Sequence, residues 1–215
     1  MTTLKKRISF NLFLSAINSV YRNYLKIRRC KFGYIDPSSR VRFPILIKGI
    51  ENVFLYEHTH ILGHSKIITT QARFIMKSNS AAAEGLTVVT GNHVVFKGEY
   101  FIEKAGDLDV QIPQDVIVEE DVGIYSNVTL LAGVTVGRGA IIGSGTVCRK
   151  SIPPYAIVTG NPAKVVGFKL QPEEIIEHEK VLYPENERIS IEVLQKNYQK
   201  YFLNKRRQIK EYLSL

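Results

Sequence analysis

The sequence predicts an all-β parallel β-helix flanked by a helical segment at each end, on three observations. Apolar residues recur every six positions from Ile112 to Val158, and turn-forming residues fill the intervals between them. Beyond Gly160 the six-residue period stops, and apolar residues return at helical spacing.

Written in rows of six from Ile112, the chain reads IPQDVI, VEEDVG, IYSNVT, LLAGVT, VGRGAI, IGSGTV, CRKSIP and PYAIVT. The first column holds Ile112, Val118, Ile124, Leu130, Val136, Ile142, Cys148 and Pro154, and only Pro154 breaks its apolar character. The fifth column is small or β-branched throughout: Val116, Val122, Val128, Val134, Ala140, Thr146, Ile152 and Val158. A helix repeats near 3.6 residues and a strand near 2, so neither accounts for a strict six. One short strand plus one corner does. Three rows then close a triangular coil, and stacked coils share three parallel sheets.

Upstream the period is interrupted. Leu55 and Ile61 head rows whose fifth positions are Thr59 and Ser65, and after a slip Ile68, Phe74 and Leu86 are expected to head further rows. The interval from Leu86 to Ile112 is not a multiple of six, so a loop leaves the coil there. GEYFIEKAGDLD, residues 98–109, is polar enough to be that excursion. The organisation expected is a lead-in over 1–39, a β-helix over 40–169 and a helical extension over 170–215.

The lead-in needs one distinction. Ser9 to Val20 follows Lys5-Lys6-Arg7 and superficially imitates a signal peptide, yet it contains two asparagines and lacks a small-x-small cleavage site. It is also too short to span a bilayer. Leu4 to Lys26 reads instead as an amphipathic helix that packs on the body or on a neighbouring subunit. The alternative is peripheral adsorption to an anionic membrane surface.

In the extension, Pro172-Glu173-Glu174 opens a helix with proline in the first turn and acids at the positive end of the dipole. Ile189 to Leu213 reads as an amphipathic helix covering the end of the coil, with Lys205-Arg206-Arg207 as a charged face. No groove-reading module accompanies that cluster, which argues against nucleic acid. Across the chain 29 Lys+Arg against 20 Asp+Glu give a net charge of +9, a balance that favours anionic partners. Cys30 and Cys148 are too few for a disulfide framework and point to a reducing cytoplasm.

From Val116 to Lys169 the residues VIVEEDVGIYSNVTLLAGVTVGRGAIIGSGTVCRKSIPPYAIVTGNPAKVVGFK resemble the last coils of hexapeptide-repeat O-acetyltransferases. Those acting on maltose or galactosides, on xenobiotics, and on capsule or lipopolysaccharide sugars are the most similar. The GNPAK motif at Gly160–Lys164 strengthens the likeness, which extends over roughly Arg40 to Lys169. The resemblance implies a left-handed coil, a homotrimer with active sites between subunits, and acetyl-CoA as co-substrate with no metal. It also implies that His93 of Thr90-Gly91-Asn92-His93 is the general base, with Asn92 contacting the acceptor. A neutral imidazole suits removal of a hydroxyl proton near pH 7. Matched position by position, Ser126 and Ser144 fall to the pantetheine arm, and Arg149, Lys150 and Lys164 to the CoA phosphates. Asp121 or Glu120 is a candidate to orient His93. The acceptor expected is a sugar hydroxyl on a cell-surface polysaccharide precursor.

One departure stands out: relatives carry D-V-W-I-G where this chain has Asp121-Val122-Gly123-Ile124-Tyr125. It leaves room for a non-catalytic scaffold or glycan-binding protein on the same coil. A γ-type carbonic anhydrase is the remaining alternative, suggested by His58, His60 and His64. The repeat register puts His58 and His64 on different faces, which weighs against convergence on a metal.

Overall fold

Residues six apart lie one above another inside a stack of triangular coils. A computed structural model describes residues 12–25, 27–93, 97, 98, 100 and 111–214 of the chain. The first sheet contains β1 (Tyr34–Ile35), β4 (Val53–Leu55), β7 (Phe74–Met76), β12 (Val116–Val118) and β15 (Thr135–Val136). The second contains β2 (Arg40–Val41), β5 (His60–Ile61), β8 (Ala81–Ala82), β13 (Gly123–Ile124), β16 (Ile141–Ile142), β18 (Ala156–Thr159) and β19 (Lys164–Phe168). The third contains β3 (Ile45–Lys48), β6 (Ser65–Ile68), β9 (Thr87–Val89), β14 (Thr129–Leu130) and β17 (Val147–Cys148). Pairing within these sheets is parallel except for β19, which turns back antiparallel on β18 and closes the stack.

The two predicted columns are the core. Val118, Ile124, Leu130, Val136, Ile142 and Cys148 are buried, as are Val116, Val122, Val128, Val134, Ala140 and Thr146. Burial pushes the Cys148 thiol up to about 12, so this residue is packing and not a nucleophile. Where the fifth column is polar, its hydroxyls find hydrogen-bond acceptors inside the coil. Ser80 Oγ donates to the Glu119 carbonyl at 2.7 Å, and Thr146 Oγ1 donates to that of Gly143 at 2.6 Å.

The register differs from expectation at both ends of the regular stretch. Phe74 pairs with Val53 and Val116, so it belongs to the fifth column, and Met76 heads its row. Leu86 likewise precedes the row head, Val88, which pairs with Leu130. Ile68 is only half-buried while Ile67 is fully inside. The cause is a longer corner after Ile67 that six-residue counting does not register. At the other end Ile152 bridges to Val136 and Val158 pairs with Ile142, which moves both into the first column. Shortening of the row after Cys148 takes Pro154 out of that column.

The corners explain the turn formers. His58, Asn79, Asp121 and Gly139 turn the chain from the first sheet to the second, all with φ between 54° and 69°. His64, Gly85, Asn127 and Gly145 do the same from the second to the third. This left-handed backbone region favours Gly and, among residues with side chains, Asn, Asp and His. The excursion leaves at the remaining edge, from third sheet to first. There β10 (Gly91–His93) and β11 (Gln111–Pro113) form an antiparallel ribbon, while β9 and β12 on either side keep their places in the stack.

At the N-terminus, helix α1 (12–20) and the turn Tyr21–Leu25 lead into the first coil. Leu12, Phe13, Leu14, Ile17 and Val20 are exposed, so this helix does not pack on the body along its length; Tyr24 stacks on Phe43 at 6.1 Å. The other parts of the predicted segment, 4–11 and Lys26, lie outside the described residues. Among the described residues no helix is long and apolar enough to cross a membrane.

At the C-terminus α2 (Pro172–Leu182), α3 (Ile191–Tyr201) and α4 (Arg206–Leu213) cover the end of the coil; the single helix expected over Ile189 to Leu213 is instead broken by a tight turn at Leu203–Lys205. The Gln171 N–H donates to the Glu174 carboxylate at 2.7 Å and fixes the start of α2. Tyr155, Ile175 and Leu194 form a second small core. Beside it the fully buried Glu179 accepts from Tyr155 Oη at 3.0 Å and from the Ile189 N–H at 2.6 Å, with an Arg138 guanidinium nitrogen at 3.4 Å. Burial, and then the Glu179 carboxylate, push the Tyr155 hydroxyl far above its usual range. A Cβ on Gly139 would strike the Tyr155 ring, so the corner under this lock requires glycine. Glu179→Gln keeps the shape and removes the charge, and should cost about 1.5–3 kcal/mol, the worth of a hydrogen bond to a charged group. The midpoint of chemical denaturation checks this.

Candidate active site

Along the edge from third sheet to first, the structure places the predicted histidine on a fixed base. Thr90 is buried, its hydroxyl donates to the Ala72 carbonyl at 3.2 Å, and its own carbonyl accepts the Gln114 N–H at 2.8 Å. The ribbon above it pairs Gly91 with Pro113, Asn92 with Ile112 and His93 with Gln111. The sequence GNH thus holds His93 on a strand at the root of the excursion. Asn92 is exposed. The His93 imidazole, and the predicted excursion except Gly98 and Tyr100, lie outside the described residues.

Two coils further along the same edge, Arg149 and Lys150 occupy the corner between β17 and Ile152. With coils spaced by about 4.8 Å, the separation along the axis from the His93 ribbon is on the order of 10 Å. Lys164, at the start of β19, joins the same cleft of about 560 Å³ between the last coil and α3–α4. The sequence reading missed the cleft's other wall: Lys200, Tyr201, Lys205 and Tyr212. Lys164 Nζ lies 4.5 Å from the Tyr212 ring centre, and Lys200 Nζ lies 4.8 Å from that of Tyr201. The signal was available, because Tyr201, Lys205, Gln208 and Tyr212 recur at three- and four-residue intervals on one helical stripe. Read alone, that stripe looks like a solvated face.

Ser126 and Ser144 are not brought to the cleft. They stack at the corner from second sheet to third, where the Gly145 N–H donates to the Ser126 carbonyl at 2.9 Å. Ser126 is half-buried and Ser144 exposed. The outer face of the third sheet, with Thr129 and Val147, lies between these serines and the edge that carries Arg149 and Lys150.

The carboxylates considered as His93 partners occupy a different edge, from first sheet to second, and have other partners. Asp121 accepts from Lys169 Nζ at 3.0 Å. Glu120 lies 3.2 Å from Arg138 and 3.5 Å from Lys77. Burial raises its pKa, but its own backbone N–H and these two cations outweigh that and hold it low. Neither acid reaches the His93 ribbon within one chain. His58 and His64 are corner residues on two different edges, and among the described residues no group of three His, Cys, Asp or Glu side chains is placed to hold a metal. A Cβ on Gly123 would meet nothing within 4 Å on the outer face of the second sheet, and Tyr125 is exposed, so the D-V-G-I-Y departure opens space at 123 and adds an outward ring at 125.

Residues 115–150 match the family model described as bacterial transferase hexapeptide (six repeats). No curated protein matches the chain in sequence. Among solved structures, a hexapeptide-repeat acetyltransferase of Vibrio cholerae O1 biovar eltor complexed with acetyl coenzyme A is 21% identical, with a TM-score of 0.62 over 71% of this chain and 83% of that one. A maltose O-acetyltransferase from Clostridium difficile 630 is 22% identical, with a TM-score of 0.59 over 65% and 71%. A galactoside acetyltransferase in complex with coenzyme A is 20% identical, with a TM-score of 0.56 over 71% and 70%. Residues 115–150 carry the hexapeptide repeat of that family model, and the parallel β-helix of the chain is the fold of these acetyltransferases.

Proposed function

We propose that this protein is an acetyl-CoA-dependent O-acetyltransferase in which His93 is the general base and a sugar hydroxyl on a cell-surface polysaccharide precursor is the acceptor. One observation carries the reading: the His93 ribbon and a cleft rich in cations share one edge of the coil. An extended thioester whose anionic end sits among Arg149, Lys150 and Lys164 has its acyl group directed along that edge toward the ribbon. Ser126 and Ser144 stand at the other edge of the third sheet, so they contact the pantetheine arm only of a CoA held in a groove formed with a neighbouring chain. Asn92, exposed beside His93, faces the acceptor. The solved structures of similar fold with acetyl-CoA or CoA bound support the choice of co-substrate.

The chemistry is direct transfer. His93 takes the hydroxyl proton as the acceptor oxygen attacks the thioester carbonyl, and backbone N–H groups stabilise the resulting oxyanion. Collapse breaks the carbon–sulfur bond and releases CoA with the proton returned to sulfur. The reaction takes place in the cytoplasm, where the precursor is made. Screening sugar acceptors with acetyl-CoA, and following release of free thiol, tests the reading; no acceptor-dependent thiol release from any glycan would sink it.

The assembly proposed is a homotrimer, because closed threefold symmetry brings a second chain against each exposed sheet face and completes the grooves between chains. Light scattering should give about three times the 24.4 kDa chain mass. A fully active monomer would contradict it.

A further inference from the structure

We infer that the C-terminal helices make the cleft a reader of the 3′-phosphate of CoA, with Lys200 and Lys205 as the specificity-determining residues, so that the protein distinguishes CoA from 3′-dephospho-CoA. This rests on the CoA reading above and goes beyond it, by assigning a role to the helical extension. Five cations line the cleft: Arg149 and Lys150 from the last coil, Lys164 from β19, and Lys200 and Lys205 from the helical side. Among the described residues no Asp or Glu lines it, and none of the five forms an ion pair. Elsewhere on the molecule Lys77, Arg138, Lys169, Lys180 and Arg207 each pair with a carboxylate. Positive charge gathered without counter-charge is at its most favourable when an anion enters.

The cations fall into separate stations. Lys200 and Lys205 both approach the Tyr201 ring, at 4.8 and 5.8 Å, while Lys164 stands over Tyr212 at 4.5 Å. The coil corner with Arg149 and Lys150 makes a third. A ligand with one phosphate group satisfies one station. CoA presents two, a pyrophosphate at the 5′ position and a phosphate at the 3′ position of one ribose, which also carries a flat base that suits an aromatic and aliphatic lining. Tyr201, Tyr212 and the buried Ile209 supply that lining. The coil stations lie nearer the His93 edge and take the pyrophosphate. The station on the helices therefore receives the 3′-phosphate.

The test is calorimetric titration of the full chain with CoA and with 3′-dephospho-CoA at low salt, with melting curves on the same preparations. Wild type should bind CoA about tenfold or more tightly than the dephospho form, as expected for charge-assisted contacts to a phosphate. In K200A/K205A the ratio should fall to within about twofold, and K200R/K205R should restore it. Equal affinities in wild type, or a wild-type ratio in K200A/K205A, overturn the inference. If wild type binds both forms equally and still transfers acetyl groups, this inference alone fails. If it binds neither form, the CoA reading fails with it.

Discussion

His93→Ala should lower the acetyl-transfer kcat by roughly 10²–10⁴, the usual range for losing a general base. Its melting temperature should stay near that of wild type, since the columns of the coil and the buried Thr90 that anchors the ribbon are untouched. CoA affinity should also hold, because the cations of the cleft lie two coils away. The wild-type rate should fall at acidic pH, as the imidazole takes up a proton and can no longer accept one from the acceptor. Kinetics and melting on one preparation separate the outcomes. Near-normal turnover would remove His93 from the mechanism, and lost turnover with a collapsed melting temperature would assign it a structural role.

Val134→Asp should abolish the fold or nearly so. Val134 is 1% exposed, in the fifth column, where the coil is narrow and its neighbours are aliphatic. A carboxylate there has no partner and no water, so it must either pay several kcal/mol of desolvation or take up a proton. Domains of this size have only about 5–15 kcal/mol to lose. Insoluble protein, or a strongly lowered denaturation midpoint that partly recovers at acidic pH, is the expected result. A soluble variant with the wild-type midpoint would mean that the column assignment is wrong.

The coil was legible because its rule is local and repeated. A strict six from Val116 to Cys148 leaves each residue of the first and fifth columns one place to go, and every one of them is buried. Counting failed where a corner changed length, after Ile67 and after Cys148, because corner length is set by contacts with the coils above and below. The candidate site was legible in part. Arg149, Lys150 and Lys164 do share a cleft, but the third-to-first edge and the second-to-third edge look alike in sequence, so the separation of Ser126 and Ser144 from those cations was not visible. Lys200 and Lys205 escaped because a cation on an amphipathic helix reads the same whether it faces solvent or an anion.

The ribbon at Gly91–Pro113 has a consequence for how such a protein can change over evolutionary time. It departs from a corner, and the coils before and after it remain paired strand for strand, Phe74 with Val116 and Thr87 with Thr129. Because each coil contacts only its neighbours, a segment of different length or composition can be grafted at that corner without renegotiating the rest of the stack. Loop length itself adds little free-energy cost, about 0.6 kcal/mol per doubling. The composition of that segment and the stability of the scaffold are thus separable heritable traits in this architecture. Exchanging 94–110 between homologous coils is the laboratory form of the same drift.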